Sequence, residues 1–299
     1  MTGSRLGGSG PHPRLLPSRL PTWMQQPAEL RPNGDEGAAA TADRSVFCDH
    51  AAVGAADDRY YGHDLALVHH RGFGFHASAC APGVLALLEP VLARNGLVVE
   101  IGCGSGLLTR ELVTAGHRVI ATDASPAMLD VASDYLGPDA PELQLVVLPD
   151  DPLPDADAIV GIGHPLNYLP DAEAIDRAIV VIANALRPGG IVAFDICDLG
   201  WGASRRDAVG QGRVGPDWAI ITEFSTPAPD RFVRDITTFV PNADGSWRRA
   251  AEHHENTLID TSQLPEKLAA VGVTGTVSDA FGNETLPEGL RVFSGEREP

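Results

Sequence analysis

Positive charge is scarce in this chain, and its scarcity argues against one class of partner. The 299 residues contain 22 lysines and arginines against 40 aspartates and glutamates, which gives a formal net charge of -18 at pH 7. No local run of basic residues offsets this balance. A surface this acidic repels phosphate backbones, so we expect no nucleic-acid partner.

Cysteine is also scarce, and the few present indicate neither disulfides nor a zinc site. They are Cys48, Cys80, Cys103 and Cys197. None forms a C-x-x-C pair, and their spacing matches no zinc motif. Free thiols are typical of a reducing compartment, which favours a cytoplasmic location.

Long hydrophobic runs are missing as well. No apolar run approaches the roughly 18 residues that a membrane-spanning helix needs, so we expect no membrane partner. Residues 1–45 are rich in proline, glycine, alanine and arginine and lack the apolar stretch of a signal peptide. We expect a disordered N-terminal extension over residues 1–45 and a folded domain over residues 46–299.

What the chain does contain is a glycine turn that follows a buried strand. The run VVEIGCGSG, Val98–Gly106, predicts this strand and turn, and an amphipathic helix follows over Leu107–Ala115. Alternate glycines let a backbone pass close to a ligand, and this context is typical of a nucleotide-type cofactor loop. A nicotinamide loop would place its third glycine at Leu107. Glu100 suits a positively charged cofactor better than a pyrophosphate, so a nicotinamide oxidoreductase is disfavoured.

A second anchor for a cofactor follows on the next predicted strand. The apolar residues Val119–Ala121 lead to Asp123. This acid follows the first glycine by about twenty residues, the spacing at which a carboxylate at the end of a second strand reaches ribose hydroxyls. Ser125 and Pro126 then predict the start of a helix.

Strand and helix signals alternate through the middle of the chain, which predicts a parallel sheet covered on both faces. From residue 217 the pattern changes to antiparallel strands separated by turns, so residues 217–258 are expected to form a small inserted sheet. The other expected elements are strands over Leu143–Leu148, Ala158–Ile162, Ile191–Ile196, Val273–Ser278 and Leu290–Ser294, and helices over Ala172–Leu186 and Ser262–Ala270.

These motifs resemble those of the class I S-adenosylmethionine-dependent methyltransferases that act on small molecules. The glycine run and the rows RVIATDASPAML (Arg118–Leu129) and LRPGGIVAFDICD (Leu186–Asp198) carry the resemblance. It implies an α/β, Rossmann-like, seven-stranded methyltransferase sheet with helices on both faces and an inserted small antiparallel sheet. The cofactor-binding core would span residues 96–198, and the insertion would cover the substrate site.

The resemblance further implies S-adenosylmethionine as the cofactor. In the family, acidic residues at the ends of the first strands and the glycines between them hold the methionine, ribose and adenine parts. The residues expected to bind it here are Glu100, Gly102, Cys103, Gly104, Gly106, Asp123, Ala124, Met128, Asp150, Asp151 and Gly163.

Three other residues are candidates for catalysis. The family's substrate meets the methyl donor at the loop after the fourth strand, which here carries His164. His164 is expected to act as a base, to hydrogen-bond the substrate or to orient the loop. Tyr61 belongs to a predicted lid near the methyl donor. His253 and His254 lie on the inserted sheet, where one of the two faces inward. His253 is taken as the candidate to line the acceptor pocket, and the alternative, which we favour, is a histidine on an acidic strand surface.

Two alternatives concern other side chains of the same region. The cluster His69, His70 and His76 lacks the i, i+4 spacing of a helical zinc pair, so no metal is expected. Cys103 is either a nucleophile or, as we favour, a small residue beside the cofactor.

The acceptor is expected to be a small-molecule metabolite with an amine or hydroxyl group. The inserted strands carry Arg231, Arg234, Arg248 and Arg249. They either bind an anionic acceptor or lie solvated on exposed strand faces. The alternative functions are a protein methyltransferase and a catalytically silent S-adenosylmethionine-binding protein.

Overall fold

A computed structural model describes residues 60–208 and 210–299 of this chain. The predicted extension, residues 1–45, and residues 46–59 of the predicted domain lie outside the described residues. In chain order the described strands are β1 (Leu97–Ile101), β2 (Arg118–Asp123), β3 (Glu142–Leu145), β4 (Ala156–Gly161), β5 (Leu186–Cys197), β6 (Gln211–Val214), β7 (Ala219–Ala228), β8 (Arg231–Pro241), β9 (Trp247–Thr257), β10 (Val273–Ser278) and β11 (Leu290–Arg297). The α-helices are α1 (His63–Gly72), α2 (Phe75–Ala93), α3 (Leu107–Thr114), α4 (Pro126–Leu136), α5 (Ala172–Ala185), α6 (Leu199–Ser204) and α7 (Leu264–Ala269).

Seven strands form the main sheet in the order β10-β11-β5-β4-β1-β2-β3. Strands β1 to β5 pair in parallel, whereas β11 is antiparallel to both β5 and β10. The predicted Rossmann-like sheet with a closing antiparallel pair is confirmed. Its switch of strand order falls between β1 and β4, and open α/β sheets bind ligands beyond the carboxyl ends of such strands.

Alternating side chains of the sheet supply two core layers. On one face, Val99 of β1 and Phe194 of β5 pack with apolar residues of α5 and α7. On the other, Val98 of β1 and Ala193 of β5 pack with residues of α2 and α3. Because both faces are buried, the strands read as nearly continuous apolar runs.

The inserted sheet is antiparallel, with the order β6-β7-β8-β9. Ile236 of β8 and Trp218, just before β7, pack against Leu65 and Val68 of α1, which defines the inner face of this sheet. The prediction of an antiparallel insertion is confirmed, but β6 begins before the expected boundary at residue 217. This strand is short and largely exposed, so its sequence carries no alternating apolar signal.

Helix α2 is more apolar than expected from the absence of long hydrophobic runs in the sequence. Among the described residues, α2 is long and apolar enough to cross a membrane by length and composition. Seven of its residues, including Val84 and Leu88, are buried, and several of them pack into the core beside the sheet. The apolar character of α2 is therefore accounted for by its position as a core helix.

The third strand is shorter than predicted because a turn interrupts it. β3 ends at Leu145, not at Leu148. The Asp151 carboxylate accepts a hydrogen bond from Val147 N at 2.8 Å, which closes the turn at the carboxyl end of this strand.

Candidate active site

The glycine turn after β1 has a backbone that favours glycine. Gly102, Gly104 and Gly106 have φ angles of 62°, 54° and 79°, where an L side chain is strained. A Cβ at Gly102 would lie 2.6 Å from Pro165 Cβ, whereas the nearest atom to one at Gly104 is the Met128 sulfur at 4.0 Å. Gly104 thus leaves a space in which a ligand can lie against the backbone.

Asp123 lies beside this space, at the carboxyl end of β2. Its carboxylate accepts hydrogen bonds from Gly104 N and Ser125 N, both at 2.8 Å. Burial raises the pKa of this carboxyl group, and the backbone N–H groups oppose the shift. Ser125 caps α4 as predicted, because its side chain accepts a hydrogen bond from Met128 N. The predicted ribose-binding acid is therefore held in a fixed orientation next to Gly104.

Three of the predicted cofactor-binding side chains are buried behind the turn. Glu100, Cys103 and Met128 are 1%, 6% and 2% exposed. The Glu100 carboxyl accepts a hydrogen bond from the Thr109 hydroxyl at 2.6 Å, and burial raises its pKa to about 8. The Glu100 side chain thus fastens α3 to β1 from its position at the carboxyl end of that strand. Burial also raises the pKa of the Cys103 thiol, which disfavours a nucleophilic thiolate.

The acidic pair after β3 is divided between a turn and the surface. The Asp151 carboxylate closes the turn described above, whereas Asp150 is exposed. Ala124, which follows Asp123, is exposed as well. Asp150 is thus the acid of this pair that is accessible for the predicted adenine contact.

Asp195 of β5 fixes the loop after β4. Its buried carboxylate accepts hydrogen bonds from Gly163 N at 3.0 Å and His164 N at 2.6 Å, and it pairs with His76 Nε2 of α2 at 2.6 Å. Burial opposes the charge on both partners, but their contact raises the pKa of His76 to about 10 and lowers that of Asp195. An ion pair therefore holds the predicted catalytic loop at the carboxyl edge of the sheet.

His164 is a neutral side chain in an aromatic environment. Its ring stacks on Tyr168, with centroids 5.7 Å apart, and lies 5.8 Å from the Trp201 ring. Burial and then the charge of Arg234 lower its pKa to about 3. Its Nδ1 is buried with no hydrogen-bond partner in the described part of the chain. Such an imidazole is a weak base but a good hydrogen-bond partner for a ligand.

Two tyrosines connect the cofactor side of the site to the inserted sheet. The Tyr61 carbonyl accepts a hydrogen bond from the Ser125 hydroxyl at 2.9 Å, next to Asp123. The Tyr61 hydroxyl lies 2.8 Å from the Tyr168 hydroxyl, to which Arg234 of β8 donates a hydrogen bond. Tyr61 therefore lies between the glycine turn and the sheet.

The inserted sheet presents His254, and not His253, to these tyrosines. His254 is buried; its ring centroid lies 5.0 Å from that of Tyr61, and its Nε2 is 2.8 Å from Glu252 Oε2. His253 lies on the outer face, where it is exposed and contacts Asp235 at 2.7 Å. The choice of His253 was therefore wrong. Successive residues of a strand face opposite sides, and here the inward one is His254.

The three clustered histidines before β1 point to different partners. His70 Nδ1 lies 3.0 Å from the Ser105 hydroxyl of the glycine turn. The His69 ring stacks on Phe73, and His76 belongs to the ion pair with β5. No group of three His, Cys, Asp or Glu side chains within residues 60–208 and 210–299 could hold a metal ion.

Comparison with known proteins identifies the central part of this fold. Residues 98–190, from β1 into β5, match the family model described as "Methyltransferase domain". Residues 98–190 form a methyltransferase domain. The predicted methyltransferase class is confirmed for this domain, and solved structures of the same fold include S-adenosylmethionine-dependent methyltransferases. A curated relative, the magnesium-protoporphyrin O-methyltransferase of Rhodobacter capsulatus, is 48% identical over 42 residues, which cover 14% of this chain and 19% of the relative.

Solved structures share the fold of this chain over most of its length. An S-adenosylmethionine-dependent methyltransferase from Clostridium acetobutylicum has a TM-score of 0.66 at 17% identity and covers 78% of this chain and 98% of its own. A sugar N-methyltransferase from a Streptoalloteichus species has a TM-score of 0.63 at 20% identity, with coverages of 88% and 100%. An amino pentose methyltransferase from Micromonospora echinaspora, with S-adenosylmethionine bound, has a TM-score of 0.60 at 18% identity, with coverages of 80% and 98%.

Sequence reasoning missed several residues of this candidate site. Asp195 was predictable in principle, because a carboxylate inside the buried run IVAFDI needs a partner. Its partner His76 comes from a distant helix, and no local pattern reveals that contact. Glu252, whose carboxylate accepts hydrogen bonds from Tyr61 N and Gly62 N, contacts a segment far away in the sequence, which no local pattern reveals.

Proposed function

We propose that this chain transfers the methyl group of S-adenosylmethionine to an amine nitrogen of a small molecule enclosed beneath the inserted sheet. One observation carries the proposal. A continuous set of polar and aromatic side chains, Tyr61, Tyr168, His164 and His254, lies between the glycine turn and the inner face of that sheet. Such a position suits an acceptor that must meet a cofactor held at the carboxyl edge.

The residues around the turn fit S-adenosylmethionine. The space over Gly104 admits a ligand against the backbone, and Asp123 offers a fixed carboxylate beside it. When bound, this cofactor supplies a methyl group on a sulfonium, which is an electrophile. The chain's own task is then to align the acceptor nitrogen with that methyl group and to exclude water.

The electrostatics of the site favour a nitrogen acceptor over a hydroxyl. A hydroxyl needs a base to remove its proton, and His164, with a pKa lowered to about 3, is poorly suited to that task. An amine needs only its lone pair, which forms the N–C bond as the C–S bond breaks; the product leaves as an ammonium ion. Burial lowers the pKa of His164 and of His254. The same burial favours the neutral form of an amine bound beside them.

The names of two structural relatives point the same way. One is described as a sugar N-methyltransferase and one as an amino pentose methyltransferase. Their identities of 20% and 18% establish a shared fold, and their acceptors support the proposal only as an analogy.

The first test is calorimetric titration of the protein with S-adenosylmethionine, with NAD as the control ligand. Saturable binding of S-adenosylmethionine alone is expected. The second test measures release of S-adenosylhomocysteine with amino sugars, other small amines, matched hydroxyl compounds and lysine peptides. Release of S-adenosylhomocysteine with small amines supports the proposal. The proposal is overturned if only hydroxyl compounds or peptides cause this release, or if S-adenosylmethionine binds but no compound causes release.

A further inference from the structure

The four arginines of the inserted sheet have different partners. Arg231 pairs with Glu255 at 3.1 Å, and Arg248 pairs with Asp64 of α1 through hydrogen bonds of 2.8 and 3.0 Å. Arg249 is exposed. Arg234 alone faces inward toward Tyr168 and has no carboxylate partner in the part of the chain that the structure describes.

Arg234 lies beside the proposed acceptor site. It is directly opposite His254 on β9, on the same inner face. Its guanidinium donates to the Tyr168 hydroxyl, while its Nε is buried with no hydrogen-bond partner among residues 60–208 and 210–299. After burial, its charge is the next largest cause of the lowered pKa of both His69 and His164.

The carboxylates near this cation are engaged elsewhere. Asp195 pairs with His76, and Glu252 accepts hydrogen bonds from Tyr61 N and Gly62 N and contacts His254. Tyr168 is a neutral phenol, because burial raises its pKa well above the usual value. A buried cation is costly unless an anion accompanies it, and a guanidinium offers five N–H donors in a fork that fits oxyanions.

We propose that the methyl acceptor carries an oxyanion, a carboxylate or a phosphate, that ion-pairs with Arg234. The proposal rests on the proposed function, since it names the acceptor class of the same site. The Tyr61 and Tyr168 hydroxyls share one hydrogen bond, so whichever of them accepts it has its own O–H free to donate to that anion. The cofactor's own carboxylate is the competing source of negative charge, and the test separates the two.

The test compares the wild-type protein with Arg234→Gln, Arg234→Lys and the control Arg249→Gln, which removes the same charge from an exposed position. Calorimetry measures S-adenosylmethionine alone, then acetate and inorganic phosphate in the presence of S-adenosylhomocysteine. We expect the preferred anion to bind Arg234→Gln at least about tenfold more weakly than wild type. Arg234→Lys should retain part of the affinity for the anion, and Arg249→Gln should retain all of it. The affinity for S-adenosylmethionine should be unchanged in every variant.

Wild-type protein gives an independent readout that needs no variant. Two pairs of acceptors differ mainly in the oxyanion: glucosamine 6-phosphate carries one and glucosamine does not, and glycine carries one and glycinamide does not. The proposal is supported if S-adenosylhomocysteine is released faster with the charged member of a pair than with the uncharged one. The proposal is overturned if both members of a pair are methylated at equal rates. It is also overturned if Arg234→Gln binds the anion as tightly as wild type does, or if this variant loses affinity for S-adenosylmethionine. Failure of wild-type protein to bind S-adenosylmethionine would instead overturn the proposed function.

Discussion

At the scale of single residues, Asp123 provides the sharpest test of the cofactor site. Asp123→Asn keeps the shape of the side chain but removes its charge and one acceptor oxygen from the contacts with Gly104 N and Ser125 N. We expect the Kd for S-adenosylmethionine to rise about tenfold or more, because hydrogen bonds to a charged group contribute about 1.5–3 kcal/mol. Calorimetry measures this change. Asp134→Asn, an exposed acid on α4, is the matched control; equal affinity of the two variants would contradict the assignment.

His164 should affect turnover and leave cofactor binding nearly intact. Its ring stacks on Tyr168, and it makes no hydrogen bond to Asp123 or to Gly104, so His164→Asn is expected to lower kcat about ten- to a hundredfold through lost alignment. Because its pKa is about 3, the pH dependence of kcat between pH 5 and 8 should keep the wild-type shape. His253→Asn, an exposed histidine of the inserted sheet, serves as the control. Wild-type turnover by His164→Asn, or loss of a pH-dependent limb, would rule out this role.

The orientation of individual side chains is where sequence reasoning was weakest. The pair His253-His254 shows that one residue faces inward, but only the pairing of β8 with β9 shows which one. The same holds for the arginines, since the sequence treated Arg234 and Arg249 alike. Strand register depends on contacts made by the whole sheet, and a one-residue shift reverses every face.

At the scale of elements, most of the main sheet was predictable because its signals are local. The apolar run, the glycine turn and the Ser125 cap specify β1, α3, β2 and the start of α4 within a few residues each. β6 escaped prediction because it is short and exposed and is defined by its pairing with β7. The link from α2 to β5 through His76 and Asp195 joins positions 119 residues apart, so no window of sequence contains it.

That link between α2 and β5 should appear in the pH dependence of stability. His76 has its folded-state pKa raised to about 10 from 6.5, so its contribution is fully present below pH 6.5 and is lost as the pH rises through 10. His76→Asn should cost about 2 kcal/mol near pH 6, below the roughly 3–5 kcal/mol of a fully buried pair because His76 is partly exposed. The loss should shrink steadily toward pH 10.

Urea unfolding of the wild type and His76→Asn at several pH values measures this difference. His63→Asn is the control, since the His63 side chain is 70% exposed. A difference in unfolding free energy that is constant with pH, or no larger than that of the control, would contradict the ion pair. The same variant should also lower kcat, because Asp195 holds Gly163 and His164 in the loop after β4.

At the scale of the whole molecule, the described residues contain both sheets and both core layers of the main sheet. The residues of the proposed site come from five separate stretches: the turn after β1, the end of β2 with Ser125, the loop after β4, the inner face of the inserted sheet, and the segment around Tyr61. Tyr61 contacts three of the others, through Ser125 after β2, Tyr168 after β4 and Glu252 of the inserted sheet. The functional unit therefore extends on the N-terminal side at least to this tyrosine.

Two shortened chains test the predicted domain boundary. A chain that begins at residue 46 should unfold in urea at the same midpoint as the full chain and bind S-adenosylmethionine with the same Kd, because it keeps Tyr61 and the described residues that contact it. A chain that begins at His63 loses the carbonyl that accepts from Ser125 and the N–H groups of Tyr61 and Gly62 that donate to Glu252. Several lost hydrogen bonds of about 0.5–1.5 kcal/mol each should lower its unfolding midpoint and weaken cofactor binding. Equal behaviour of the two shortened chains would show that Tyr61 does not join the site, and a loss of binding already in the longer one would move the domain boundary into residues 1–45.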